Sequence, residues 1–371
     1  MSTTNNICLI TNIGPHYRYP IFRTIDEEFS CDFYLGDRTN TVIKTFNYRL
    51  LKGFKKTVHN VFIHNVYWQR STVNLIFKPY KFYILDGEPY CISSWLILIL
   101  AKFSGKITIS WTHGWYGREG KLKRIIKKIF YSLFTELMVY NEYSIHLMEK
   151  VGFPANRLHC IANSLDSDKD KAIRSKLRNT SIFSEHFKNN FPTLIYCGRI
   201  QKSKKLYLIL DSLRLLKEKG HYLNVVFVGK DIENTERANY AEPVGVQPQT
   251  WMVGPCYDDN KLGELFYNAA VCVSPGNVGL TAIHALSFGC PVITHNNFPY
   301  QMPDFEAIRP GITGDFFKED DVSDLSRVIL DWCSKTELER AKIRQAAYQE
   351  IDSKWNIHYQ INIIKEIVNP H

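Results

Sequence analysis

Short runs of apolar residues alternate along the chain with longer segments in which apolar residues recur three and four positions apart. The short runs are ICLIT, KFYIL and KITISW in the first half, then TLIYCG, NVVFVG, VCVSP and PVITH in the second. A strand covered by helices on both faces is apolar throughout, so this rhythm predicts an α/β protein built on parallel sheets. The periodic segments predict helices over Leu122–Phe134, Tyr207–Lys219 and Asp321–Cys333. Between the halves lies a polar stretch, 166–190, with no long apolar run; it reads as a boundary loop with some irregular structure. The strand pattern restarts at Phe191, and the late series Ile357, Ile361, Ile364 and Val368 predicts a final helix that returns toward the first half. The expected division is therefore 1–165, a connection 166–190, a second domain 191–353 and a C-terminal helix 354–371, which suits a chain of 371 residues.

Open parallel sheets bind ligands beyond the carboxyl ends of their strands. Polar residues at such positions are Asn12 to His16, Asp86 to Glu88, His113, Arg199, and Ser274 to Gly279. In GRIQKSKKLYLILDSLRLLKEKG, a strand ends at Gly198 and is followed by Arg199 and Lys204 ahead of a helix with Leu206, Leu210, Leu213 and Leu216 on its apolar face. A guanidinium fork beside an ammonium suits a diphosphate; two solvated loop charges are the equal alternative. In SPGNVGLTAIHALSFGCPVITHN, a turn with Gly276 and Gly279 precedes a helix beginning near Leu280, whose amides at Gly279, Leu280 and Thr281 can cradle a phosphate. Gly289 closes that helix and Pro291 opens the next strand.

These two segments, one βα spacing apart, resemble the donor domain of the retaining GT-B glycosyltransferase family 4. Gly198, Arg199 and Lys204 match its G-R-x-x-x-x-K pattern, and Gly279, Leu280, Ala285, Gly289, Pro291 and Val292 match its glycine turn, helix and G-x-P-V strand. Leu265, Tyr267 and Ala270 match the intervening stretch, and Asn163 matches the asparagine of an N-G-V-D turn whose glycine is replaced here by Ser164. The resemblance implies GT-B architecture, two Rossmann-like domains facing across a cleft. It also implies a nucleoside-diphosphate sugar donor (UDP- or GDP-sugar) and retaining transfer without an essential metal. Arg199 and Lys204 are implied to bind the donor diphosphate, and Gly279 to Thr281 to form its amide cradle. The family's usual pair of glutamates falls on Gly276 and His284, so both carboxylates are absent; His284 is left to hydrogen-bond ribose hydroxyls and Gly276 offers only backbone groups.

The first half opens with a strand, a Gly14-Pro15 turn and a helix carrying Ile21, Phe22, Ile25 and Phe29. Family members place a glycine loop here near donor and acceptor, the role Gly14 would take. His16 and Arg18 read either as contacts to phosphate or sugar or as plain loop residues. His113, flanked by Trp111, Trp115 and Tyr116, is the best match to a histidine that contacts the donor sugar, against the reading of a structural histidine in an aromatic core. Asp86 and Glu88 are placed to orient an acceptor hydroxyl.

Charge adds one further expectation. The formal net charge is +9, and between Lys102 and Lys128 eight basic residues face only Glu119. In GKLKRIIKKIFYSLF, Lys121, Arg124, Lys127 and Lys128 are interleaved with Ile125, Ile126, Ile129, Phe130 and Leu133. Such a helix either rests on an anionic bilayer, through lysines alone or with apolar residues beneath them, or packs its apolar face on a sheet with its lysines solvated. Added to the basic region, it leads us to expect peripheral attachment to the inner face of a membrane and a lipid-linked saccharide acceptor. The longest apolar run, Trp95 to Ala101, falls short of the roughly 20 residues of a spanning helix, and the amino terminus shows no basic leader. Nine scattered cysteines without a CxxC pair read as reduced, cytoplasmic core residues. The D-x-D at Asp166 and Asp168 lacks companion ligands, so no metal is expected. Two alternatives remain: a sugar-nucleotide epimerase or phosphorylase of the same architecture, and a basic nucleic-acid binder, although no nucleic-acid-binding module is present.

Overall fold

A computed structural model of the chain describes residues 6–40, 43–233 and 245–369. The chain divides into two compact units, Met1–Asp166 with Asn356–His371, and Ser167–Trp355.

The first unit holds parallel strands β1 (Ile7–Thr11), β2 (Asp32–Gly36), β3 (Phe54–Val58), β6 (Phe82–Asp86), β7 (Ile107–Thr112), β8 (Glu136–Val139) and β9 (Leu158–Cys160). They are ordered β3-β2-β1-β6-β7-β8-β9, and an antiparallel hairpin of β4 (Asn60–Ile63) and β5 (Val66–Gln69) accompanies them. β1 and β2 are buried at every position, as an apolar strand between two helical layers must be. On one face, α1 (Tyr19–Phe29) packs with α12 (Ile357–Val368), whose Ile357, Ile361, Ile364 and Val368 join the core beneath β1 and β2. Ser164 and Ala162 fasten that returning helix through Gln360, at 2.6 and 3.0 Å. The other face is covered by α2 (Ile92–Phe103), α3 (Lys121–Ser132) and α4 (Glu142–Lys150).

Helix α3 does not bury the aliphatic face its sequence offers. Leu122, Ile125, Ile126 and Ile129 are exposed, whereas Lys127 is buried with Phe130 and Tyr131. Lys127 Nζ donates to Glu119 Oε1 at 2.7 Å and to the Gly114 carbonyl at 2.6 Å, so this lysine is a structural ion-pair partner and not a surface charge. The aromatic residues Phe130 and Tyr131 do the packing, which the spacing of the isoleucines concealed.

The second unit holds β10 (Thr193–Cys197), β11 (Asn224–Val228), β12 (Thr250–Gly254), β13 (Val271–Ser274), β14 (Val292–His295) and β15 (Gly314–Phe317), all parallel, in the order β12-β11-β10-β13-β14-β15. α7 (Tyr207–Glu218) and α10 (Val322–Cys333) cover one face, with Leu206, Leu210, Leu213 and Leu216 in the core. α8 (Asp259–Asn268), α9 (Leu280–Ser287) and α11 (Glu337–Ser353) complete the unit. The stretch read as an irregular connection carries two helices, α5 (Ser167–Arg174) and α6 (Ile182–Phe187), which pack on α8 through Ile173 and Phe183. One buried apolar anchor in each was too little periodicity to mark a helix. Asp168 lies in the first turn of α5, where a carboxylate complements the helix dipole.

In both sheets the strand order reverses beside the first strand, between β1 and β6 and between β10 and β13. Each reversal opens a crevice at the carboxyl ends of those strands, the place where open α/β sheets take ligands.

Candidate active site

In the second unit, the loop after β10 and the turn after β13 meet at the crevice. Gly276 N donates to Lys204 O at 3.0 Å, and Thr281 Oγ1 donates to Cys197 O, at the end of β10, at 2.8 Å. A Cβ on Gly276 would stand 2.4 Å from Ser203 O and 2.8 Å from Lys204 Cα, so this close approach of two backbones excludes any side chain. Buried Thr294 and Gln301 brace the turn: Thr294 Oγ1 donates to Ser274 O at 2.8 Å, and Gln301 Oε1 accepts from Val278 N at 2.8 Å. Gly279 is the N-cap of α9; Ala282 N donates to Gly279 O at 2.9 Å, and no side chain of the cap takes up the amides of Leu280 and Thr281 ahead of it.

Lys204 is half-buried and donates to Asn277 O at 2.6 Å and to Asn277 Oδ1 at 2.8 Å. Burial, and next the positive charge of Arg199, push its pKa down from 10.5 to about 8; buried Asp304 opposes them. Arg199 is exposed, and its carbonyl accepts from Tyr196 Oη at 2.8 Å. Two cationic side chains and the amino end of a helix thus converge, an arrangement suited to a diphosphate. Leu280 is half-buried at the start of α9. His284, one turn on, lies between Phe266 and Phe288 at ring distances of 5.3 and 5.4 Å, and burial lowers its pKa to about 4. It is a neutral donor and acceptor in an aromatic setting.

In the first unit, a cavity of about 400 Å³ at the β1/β6 crevice brings together Arg18, Asp86, Glu88 and His113. Asp86 accepts from Thr11 Oγ1 at 2.8 Å and from Asn12 N, tying the end of β6 to the end of β1, and burial raises its pKa. Glu88 stands at the open mouth: the residue as a whole is exposed, yet its carboxyl is crowded by protein and by Asp86, and its pKa rises to about 7. Arg18 lies 4.9 Å from the Trp111 ring centre and 5.6 Å from that of Tyr140. His113 packs on Tyr140 at 4.9 Å; burial first, then Arg18 and Lys127, lower its pKa to about 4, so it is neutral. Three buried polar atoms on this wall, His113 Nδ1, Trp111 Nε1 and Tyr140 Oη, lack a hydrogen-bond partner among the described residues. Unpaired buried groups are costly, and these three border a cavity wide enough to admit water or a ligand that pairs them.

Gly14 and His16 do not line this cavity. Gly14 is buried against Tyr48 and Phe46 and its amide donates to Tyr48 Oη at 2.9 Å, while His16 is exposed with Nδ1 3.2 Å from Lys44 O. Sequence reasoning gave no role to Asn277, inside the Ser274 to Gly279 turn, or to Thr294, Gln301 and Tyr140. Tyr140 directly follows β8, so its strand-end position was a usable signal; the other three act through contacts across the chain. Among the described residues, no group of three or more His, Cys, Asp or Glu is placed to hold a metal ion.

The family model of glycosyl transferases group 1 matches residues 178–350. No curated protein matches the chain in sequence. Among solved structures, the chain is similar to HepE of Anabaena in complex with UDP, at 13% identity and a TM-score of 0.73, covering 99% of this chain and 100% of that one. It is similar to the lipopolysaccharide outer core galactosyltransferase WaaB in its apo form, at 14% identity and a TM-score of 0.71, covering 98% and 99% of the two chains. A glycosyltransferase from Rickettsia africae gives 16% identity and a TM-score of 0.71, over 99% and 100%. Two Rossmann-like units of this topology give the chain GT-B architecture, and residues 178–350 relate it to the glycosyl transferases of group 1.

Proposed function

We propose that this protein is a glycosyltransferase that moves a sugar from a nucleoside-diphosphate donor, a UDP- or GDP-sugar, to a lipid-linked saccharide, with retention of anomeric configuration. The observation that carries the reading is the junction of Arg199 and Lys204 with the glycine turn at the amino end of α9. Support for the donor comes from HepE, which binds UDP and UDP-glucose. The acceptor class is supported by WaaB, a lipopolysaccharide outer core galactosyltransferase, and by the exposed Lys121, Lys123, Arg124 and Lys128 of α3.

In this reading Arg199, Lys204 and the amides of Gly279, Leu280 and Thr281 hold the diphosphate, and His284 meets the ribose. His113 contacts the transferred sugar through its unpaired Nδ1. Asp86 holds the cavity wall in place, while Arg18 and Glu88 orient the acceptor. The bond from the anomeric carbon to the diphosphate breaks, a bond to the acceptor oxygen forms, and the acceptor proton passes to the departing phosphate. The protein's share is positioning and charge stabilisation. Attachment to the inner, cytoplasmic face of a membrane completes the reading.

The test is a panel of nucleotide sugars screened for protection against thermal unfolding, followed by product analysis with and without acceptor. Protection by one nucleotide sugar and a new glycoside only when acceptor is present is the expected result. No protection by any of them overturns it; turnover of the donor without acceptor transfers the case to an epimerase.

A further inference from the structure

The outward face of α3 is an aliphatic stripe: Leu122, Ile125, Ile126 and Ile129 are 71%, 57%, 40% and 51% exposed. At 100° per residue, Lys121, Arg124 and Lys128 flank this stripe on one side and Lys123 on the other, all exposed. Beneath the first turns of the same helix lies a second cavity of about 360 Å³, walled by Pro89, Tyr90, Tyr116, Leu122, Ile126 and Tyr131. It shares Glu88, Tyr90, Thr112 and His113 with the cavity at the β1/β6 crevice, so the two lie side by side along a common wall. Leu122 and Ile126 belong to both the exposed stripe and the cavity wall. Lys123 Nζ, 5.9 Å from the Tyr90 ring centre, adds a cation at its edge.

Exposed aliphatic side chains, a lysine and a polar cavity with unpaired hydrogen-bonding groups therefore lie next to one another in that order. Such a sequence of environments matches an amphiphile: hydrocarbon, then an anionic group, then a polyhydroxylated head. We infer that the second cavity seats the first part of the hydrocarbon chain of the acceptor, with the linking phosphate at Lys123 and the saccharide beside His113. The inference rests on the acceptor reading above. The remainder of the chain leaves along the α3 stripe, toward a bilayer held by the flanking basic residues.

A dodecyl phosphate bearing a photoreactive diazirine in its chain tests this on the whole protein. Cross-links mapped by mass spectrometry are expected on Tyr90, Leu122 and Ile126, suppressed by excess dodecyl phosphate and not by inorganic phosphate. Ile126→Asp should lower labelling at least tenfold, whereas Ile99→Asp, on the exposed side of α2, should leave it unchanged. Labels spread evenly over the exposed faces of α2 and α3, or equal labelling in both variants, overturn the inference. Thermal protection by UDP is measured in parallel on the same variants: if UDP protects and labelling is diffuse, the cavity assignment alone fails. If no nucleotide protects while labelling is specific, the donor reading fails and the cavity remains an amphiphile site.

Discussion

Lys204 Nζ is held by both oxygens of Asn277, the backbone carbonyl at 2.6 Å and the side-chain carbonyl at 2.8 Å. Neither partner carries charge, so the ammonium is fixed in direction but not neutralised, and its pKa is left at about 8. A diphosphate arriving beside it favours the charged form and raises that pKa. Nucleotide affinity should therefore weaken as pH rises through about 8, and binding just above that pH should take up a proton. Calorimetry of UDP binding in two buffers of different ionisation enthalpy measures both. Asn277→Ala, which loosens the ammonium, should weaken binding by about 1 kcal/mol, roughly fivefold.

In the proposed reaction, Arg199 and Lys204 act on charge that grows as the donor bond breaks. Arg199→Ala and Lys204→Ala should each lower turnover by about 10² to 10³, since one such contact is worth about 3 kcal/mol at a developing anion. Near-normal steady-state rates in both variants would remove them from the reaction.

Gly276 occupies the position where the resembling family carries a glutamate, and reinstating that residue should harm the protein. Any Cβ there meets the backbone of Ser203 and Lys204, and neither atom is the movable end of a side chain. Gly276→Glu should cost about 1–3 kcal/mol of stability and weaken UDP binding together with it, read by chemical denaturation and by thermal protection. A stable variant with improved transfer would mean that the turn relaxes easily.

Strand-end logic in the sequence reached Asp86, Glu88 and His113, while Arg18 was read in the turn after the first strand as either a contact or a plain loop residue; the fold gathers these four at one crevice because β1 and β6 are neighbours. That neighbour relation is a property of strand order, which apolar runs do not encode. Arg199, Lys204 and the glycine turn were legible for the same local reason, but the Lys204–Asn277 contact joins residues 73 apart and leaves no periodic trace. Helix α3 was legible as a helix and not in its orientation: its isoleucines and aromatic residues lie on different faces, and only packing decided which went inside.

His113 links pH to stability in a defined direction. Its folded pKa is near 4, below the 6.5 of a free imidazole. As pH falls from about 6.5 toward 4 the unfolded chain takes a proton that the folded chain refuses, so stability drops across that window. His113→Asn cannot titrate. Its denaturation free energy should decline less steeply than the wild type's over the same range, while transfer at neutral pH falls if the ring meets the sugar. Parallel stability profiles would show that His113 titrates freely in the folded protein.

Lys127 and its neighbours on α3 should respond to mutation in opposite ways. The Lys127 and Glu119 side chains are 6% and 2% exposed, and Glu119 also accepts from the amides of Tyr116 and Gly117, each at 2.9 Å. Burial alone would raise the Glu119 carboxyl, but the Lys127 hydrogen bond and then the Tyr116 amide hold it below its usual value. Lys127→Met strands a buried carboxylate and should cost about 3–5 kcal/mol, with Glu119→Gln in the same chain recovering part of it. Lys123 and Lys128 are exposed, so their replacement by glutamate should shift stability by no more than about 0.5 kcal/mol. The same replacements should weaken binding to phosphatidylglycerol vesicles, each removed cation being worth about 1 kcal/mol near an anionic surface. Denaturation curves and co-sedimentation at low and high salt separate the two effects. Vesicle binding that ignores both salt and the Lys123 and Lys128 changes would detach the exposed face of α3 from any membrane role and leave Lys127 as a purely structural lysine.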